Sequence, residues 1–218
     1  MATQIKQGPL LPTKAPNLPL SPEIVDRKFI DDFQNTLRLY FNQNDNVNGS
    51  LLGPIGGQYI NNTYAAIQRT TDLSFTANTA TQVTFDTNDF LNGTANDGTD
   101  GITATYSGIY NYQFSVQLKN ADSQIHSAWI WLRINNVDVA GTSSKFDVTA
   151  SHGGTPGYNI AACNFYVQLA AGDTIEMWSA VSNTNVTFDA TAAQTVPFVM
   201  PAIPSVVATL SFVSSIPT

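Results

Sequence analysis

The sequence predicts an all-β sandwich preceded by an extended arm rich in Pro and Leu and by one α-helix. From residue 59 to residue 218, short runs with strand patterning alternate with turn signals such as Asn92-Gly93, and no helical period is sustained. In the run from Gly108 to Leu118, alternate side chains are aromatic or aliphatic and would enter one core: Tyr110, Tyr112, Phe114, Val116 and Leu118. Hydrophobic residues make up 43% of the 218 residues, which is enough to fill such a core.

Residues 1–20 are expected to form an extended arm. Prolines exclude a helix interior or a central strand from this segment, and they lie at Pro9, Pro12, Pro16 and Pro19. A disordered tail is one interpretation of the segment. We favour the other, because leucines are frequent here: an anchoring peptide that binds grooves on a partner through Leu10, Leu11, Leu18 and Leu20.

Residues 21–45 are expected to form one amphipathic α-helix, with Ser21 as the N-cap and Pro22 in the first turn. The three-then-four spacing of a coiled-coil seam is followed by Ile30, Phe33, Leu37 and Tyr40. About two heptads are too few to hold a coiled coil alone. The stripe is therefore expected to pack on the following domain or on another protein, and it extends the anchoring surface. Residues 46–58, rich in Asn and Gly, are expected to link the helix to the sandwich.

The charge distribution argues against a nucleic-acid partner. Only 11% of the residues are charged, and six of the nine basic residues lie before Thr70 together with five of the sixteen acidic ones. The remainder of the chain therefore carries 9 − 6 = 3 basic and 16 − 5 = 11 acidic residues. Three cations cannot neutralise a phosphate backbone. No apolar run reaches the roughly 20 residues of a membrane span, and the N-terminus lacks the layout of a secretion signal.

The chemistry-bearing residues predict neither an enzyme nor a metal or cofactor site. Cys163 is the only cysteine, so no disulfide can form within the chain, and His126 and His152 are the only histidines. The loop at residues 96–101 offers oxygen ligands, but its spacing does not match a calcium loop, and a polar turn explains it. No nucleophile elbow is present.

The tryptophans are predicted to lie outside the sandwich core. In the runs 129–134 and 175–181, the aliphatic side chains occupy one parity and the other parity holds Trp129, Trp131, Arg133 and Trp178. A tryptophan buries roughly 200 Å², so three exposed rings form a patch that a soluble monomer would not carry. They mark either a subunit interface or a stacking platform for sugar rings. The alternative is that they are spread apart or covered by loops.

Three segments together resemble the C1q and tumour-necrosis-factor group of jelly rolls. They are the glycine-led aromatic strand from Gly108 and, in the same order as that group's later strands, residues 169–177 and 206–212. This resemblance implies a jelly roll that works as a homotrimer. It also implies that the outward sides of the first and last of these strands face the three-fold axis, which concerns Ile109, Asn111, Gln113, Val207 and Thr209.

The helix and its exit, residues 35–46, and the closing run 204–214 are similar to small virion proteins of tailed bacteriophages. That similarity implies a virion structural protein, assembled in the host cytoplasm and attached by its N-terminal arm to other virion proteins of the capsid or tail. It would serve as capsid decoration or as a short fibre or tail component. The alternative is a carbohydrate-binding adhesin for host attachment, or a free lectin, which would bind surface glycans and would not need the arm.

Overall fold

The computed structural model describes residues 16–18, 26–52, 62–96, 101–214 and 216. The chain divides into two units, Met1–Asn61 and Asn62–Thr218. In the described residues, the first unit contains one helix, α1, spanning Arg27–Leu52. The second contains fourteen strands: β1 Tyr64–Arg69, β2 Leu73–Ser74, β3 Thr81–Val83, β4 Thr87–Asn92, β5 Thr94–Ala95, β6 Ile102–Ala104, β7 Gly108–Asn120, β8 His126–Ile134, β9 Val137–Asp138, β10 Ser144–Val148, β11 Gly157–Leu169, β12 Thr174–Val181, β13 Val186–Phe188 and β14 Val206–Ser214.

Helix α1 has a side-chain cap at its N-terminus. The Phe29 amide donates a hydrogen bond of 2.7 Å to Asp26 Oδ1, which satisfies one of the amides that the first turn leaves unpaired. The expected cap, Ser21, and the expected first-turn Pro22 lie outside the described residues. Within the described part of the chain, no helix combines the length and the apolarity that crossing a bilayer requires.

The C-terminal end of α1 differs from the expectation of a helix over residues 21–45. The helix continues to Leu52, through part of the segment that was expected to be a linker. Each Asn in a helix interior costs no more than about 0.7 kcal/mol relative to Ala, which one or two further apolar contacts can offset. Val47 continues the spacing of Leu37 and Tyr40 along the helix and is half-buried, as those two residues are.

Among the described residues, the strands pair only in antiparallel fashion and form two seven-stranded sheets. In sheet A, β7 pairs along its whole length with β11 on one side and with β14 and β13 on the other, and β14 continues to β1 and β4. Sheet B follows the order β10-β8-β12-β6-β5, with β3 pairing to β12 and β9 to β8. The architecture is an all-β jelly-roll sandwich with one helix, which confirms the predicted fold class.

The core lies between the two sheets and is built from alternate side chains of their strands. Every inward residue predicted for the Gly108–Leu118 run is buried, so the period-two prediction is confirmed there. Opposite them, the fully buried side chains of sheet B include Ile130, Leu132, Ile175 and Met177. The odd-numbered residues of β7 consequently point away from the core, on the outer face of sheet A.

Gly108 is required by close packing at the start of β7. A Cβ at this position would lie 2.4 Å from the ring of Phe212 on β14, which is too close for any real contact. That ring meets Tyr110 edge-on, with ring centroids 5.5 Å apart. The glycine at the head of the aromatic strand therefore makes room for a ring from the last strand.

Candidate interaction surfaces

The residues predicted for a trimer interface or a ligand face lie on two outer faces that point in opposite directions. Thr209 pairs with Gln113 across β14 and β7, and these residues with Ile109, Asn111 and Val207 belong to the outer face of sheet A. Trp129, Trp131, Arg133 and Trp178 belong to the outer face of sheet B. Because the two faces are separated by the core, a single flat contact cannot contain both groups.

On sheet B, Trp131 and Trp178 form a cluster with Arg133, which we call the tryptophan cluster. Trp131 and Trp178 are direct cross-strand partners, which places their side chains next to each other. The guanidinium carbon of Arg133 lies 3.9 Å from the ring centroid of Trp178 and 6.0 Å from that of Trp131. This geometry is a cation–π contact that covers one face of the Trp178 ring.

Asp138 is the counter-ion of this cluster. Its Oδ1 accepts hydrogen bonds from Arg133 Nε at 2.6 Å and from Trp131 Nε1 at 2.8 Å. These two bonds, that of Arg133 first, hold the pKa of Asp138 below its ordinary value of 3.8. The carboxylate is therefore charged at neutral pH, and it fixes the guanidinium and one indole in position.

Glu176 lies beneath the cluster and is only 2% exposed. Its Oε2 accepts a 2.8 Å hydrogen bond from Trp178 Nε1, and its Oε1 accepts a 2.9 Å bond from the backbone amide of Asn136. Both oxygens of a buried carboxylate are thus hydrogen-bonded, as burial of such a group requires. Sequence reasoning missed this role, because Glu176 stands between two inward-facing residues and one of its partners is the backbone amide of Asn136, 40 residues away.

The third tryptophan has a cationic neighbour as well. Lys145 Nζ lies 6.0 Å from the ring centroid of Trp129 and 3.1 Å from Asp147 Oδ1. All three tryptophans are half-buried. They lie outside the core, as predicted, but neighbouring side chains of the same sheet cover part of them.

The outer face of sheet A has a different character. Strands β11 and β14 contain no charged residue. Their outward side chains include Tyr158, Ile160, Tyr166 and Val207, all of them exposed. This face is uncharged and partly apolar over two of its strands, and it includes the five residues that were predicted to face a three-fold axis.

A cleft of about 620 Å³ lies at one end of this face. Tyr158 and Ile160 of β11 line one part of it, and Thr191 and Ile203 line another. Gln117 of β7 also lines the cleft. Residues 190–204, which join β13 to β14, form a hairpin with bridges at Thr191–Ile203 and Gln194–Met200. We call this segment the 190–204 hairpin. Sequence reasoning did not single it out, although its Val-Pro-Phe-Val run is apolar and uncharged.

The anchoring residues are only partly described. Leu18 is exposed, whereas Leu10, Leu11 and Leu20 lie outside the described residues. On α1, Ile30 is exposed, and half-buried positions are held by Phe33, Leu37 and Tyr40. None of the described side chains of α1 is buried. The apolar stripe of the helix is therefore available to a partner.

Searches for related proteins give no family for this chain. No family model matches it. No curated protein matches it by sequence either.

The described residues contain no group of three or more His, Cys, Asp and Glu side chains that could hold a metal ion. Residues 97–100 of the polar loop lie outside them.

Proposed function

We propose that this protein is a structural component of a bacteriophage particle. Its jelly roll forms a homotrimer, and its N-terminal unit attaches it to capsid or tail proteins. The phage assignment is supported by the similarity of residues 35–46 and 204–214 to small virion proteins. The trimer is supported by one structural observation above all, the uncharged and partly apolar strands β11 and β14 on the outer face of sheet A.

The distribution of charge favours self-association through this face. The chain has a formal net charge of −7, so copies repel each other wherever acidic side chains meet. Strands β11 and β14 avoid this repulsion because they carry no charged residue. Exposed aromatic and aliphatic side chains on the same strands gain from burial in a contact. Gln113 and Thr209, near the middle of β7 and β14, supply hydrogen-bonding groups for neighbouring copies.

The N-terminal unit carries the exposed apolar side chains that would attach the protein to its partners. The stripe of α1 exposes or half-exposes its apolar side chains, and Leu18 of the arm is 46% exposed. Such a helix is stable in water only when its apolar side is covered. Three copies joined through their jelly rolls would present three such segments, and the second and third would bind at high effective concentration once the first is bound.

The alternative of a carbohydrate-binding adhesin would use the tryptophan cluster of sheet B. Sugar rings stack on open aromatic faces, but Arg133 covers one face of Trp178, and Asp138 already bonds the Trp131 indole. A ligand that stacks on this face of Trp178 would have to displace the guanidinium. We therefore favour assembly over glycan binding for this chain.

The decisive experiment has two parts. Light scattering coupled to size exclusion should give 3 × 23.5 = 70.5 kDa for the purified chain, and a mass of 23.5 kDa would refute the trimer. Deletion of residues 1–45 should abolish incorporation into particles of the phage that encodes the protein while leaving the trimer intact. Glycan binding that survives this deletion, without any particle association of the full-length chain, would support the lectin alternative instead.

A further inference from the structure

The 190–204 hairpin carries the most exposed large apolar side chains among the described residues. Val196 is 80% exposed and Val199 is 82% exposed, with Phe198 beside them at 60%. They lie beyond the bridge in which Gln194 and Met200 exchange backbone hydrogen bonds of 3.0 and 2.9 Å. The tip is therefore held out by a paired backbone.

The cleft beside the base of this hairpin has matching chemistry. Tyr158 and Ile160, more than half exposed, line it, and among its described lining residues only Asp189 is charged. Asp189 bonds Lys119 Nζ at 2.8 Å, and this ion pair offsets the charge of the carboxylate. The cleft therefore offers apolar side chains beside uncharged polar ones, Gln117, Asn159 and Thr191. A volume of about 620 Å³ is in the range that accommodates small apolar ligands, and it has room for the side chains of a hairpin tip.

Charge restricts what can approach both surfaces. Residues 148–172 and 190–218 contain no Asp, Glu, Lys or Arg, although the chain as a whole carries a net charge of −7. A second copy of the chain, which is acidic elsewhere, is least repelled where these two segments meet. The exposure of the tip also shows that it does not fill the cleft of its own copy.

We infer that the tip of the 190–204 hairpin, with Val196, Phe198 and Val199, inserts into the Tyr158 and Ile160 cleft of the next copy in the trimer. This inference rests on the proposed function and specifies how its subunits bind. Tip and cleft are different surfaces, so the contact is heterologous, and three such contacts related by a three-fold axis close a ring. Each copy then uses its tip once and its cleft once.

The area available is of the right order. Taking roughly 150 Å² for each fully exposed apolar side chain, the tip and the cleft walls offer on the order of 500 Å² of apolar surface. A standard interface buries about 800 Å² on each partner, a little over half of it apolar. One tip in one cleft thus supplies about half of the apolar area, and Tyr166 and Val207 on the same outer face offer further exposed apolar surface.

The test is a charge exchange between tip and cleft, measured by light scattering over a range of protein concentrations. Val199→Asp and Ile160→Asp each place an unpaired charge in the contact, and we expect each to raise the concentration for half-assembly about a hundredfold or more. The double variant Val199→Asp with Ile160→Lys pairs opposite charges between neighbouring copies and should recover most of the assembly. Val137→Asp, at a residue that is 68% exposed on β9 of sheet B, is the matched control and should assemble as the unchanged chain does.

The possible outcomes distinguish a failure of the proposed trimer from a failure of the contact between tip and cleft alone. A monomeric unchanged chain would overturn both the proposed trimer and this contact. An unchanged trimer in the Val199→Asp and Ile160→Asp variants would overturn the contact alone. Loss of assembly in both single variants without recovery in the charge-exchanged chain would also overturn it, because tip and cleft would then not face each other. All substituted positions are exposed, and thermal unfolding of each variant verifies that the fold is kept.

Discussion

The outer faces of the two sheets both carry large apolar side chains, but only sheet B supplies partners for its own. There, Arg133, Asp138 and Glu176 bond or cover the tryptophans, so the cluster is complete within one chain. On sheet A, Ile160 and Tyr166 project from strands without any charged residue. Aromatic content alone therefore does not identify an interface. What distinguishes a docking face is apolar area that the same chain leaves uncovered.

The largest expected effect tests the open face of sheet A. Val207→Asp should raise the concentration for half-assembly about a hundredfold, because a carboxylate would be buried without a partner. Sedimentation velocity at several concentrations measures this shift. Tyr106→Asp, at an exposed position outside the strands of both sheets, is the control for added charge. If both variants raised the concentration for half-assembly equally, the outer face of sheet A would not be the interface.

The next effect tests the closed face of sheet B. Trp178→Ala should lower the free energy of unfolding by about 2 kcal/mol, since it removes a half-buried ring and leaves Oε2 of Glu176 without its hydrogen-bond donor. Urea unfolding at one fixed protein concentration measures the change, because assembly makes stability concentration-dependent. The mass in solution should stay that of the unchanged chain. A trimer that dissociates in this variant would assign the tryptophan face to the interface.

A smaller effect on stability is expected when the guanidinium of Arg133 is removed. Arg133→Ala should cost about 1 kcal/mol of unfolding free energy, the value of a partly desolvated cation–π contact. Combining it with Trp178→Ala in a double-mutant cycle separates the pair's coupling from the loss of packing by each side chain. Coupling close to zero would mean that Arg133 merely lies over the ring. Lys145→Ala beside Trp129 is the comparison, with a smaller expected loss at its longer distance of 6.0 Å.

The smallest effect is a pH dependence of the same cluster. The hydrogen bonds from Arg133 and then Trp131 lower the pKa of Asp138 below 3.8. A carboxyl with a lower pKa in the folded state stabilises that state above the unfolded pKa, and this contribution is lost as the pH falls through the folded pKa. Tryptophan fluorescence should therefore be constant from neutral pH to about pH 4 and change below it. Asp138→Asn should lack the step, whereas Asp147→Asn should retain it.

The sandwich and its inward residues were predictable because side chains alternate strictly along a strand. The aromatic strand from Gly108 needed only this period to assign Tyr110 and Tyr112 to the core. The same rule placed Trp131 and Gln113 outside, but parity does not say which sheet a strand joins. The distribution of the predicted interface or ligand residues over two faces follows from pairing between residues far apart in the chain, such as Gln113 with Thr209.

The remaining differences have similar physical causes. The end of α1 was misplaced because Asn opposes a helix only weakly, so the Asn residues after Tyr40 did not end it. The closure of the tryptophan cluster was missed because Asp138 reaches Arg133 and Trp131 only through the turn between β8 and β9. The hairpin tip was overlooked because an apolar run between turn signals predicts a buried strand as readily as a projecting loop.

The antiparallel pairing of β1 with β14 has a practical consequence for fusions to this protein. The Phe212 amide bonds the Thr63 carbonyl at 2.9 Å, so the last strand finishes beside the point where the chain enters the jelly roll. A cargo joined after the last strand would emerge at that entry point. The turn at His152–Thr155 lies near the opposite end of β7, roughly 40 Å away for a strand of 13 residues. An epitope inserted between Gly153 and Gly154, where added atoms meet open space, would be displayed at the far end of the sandwich.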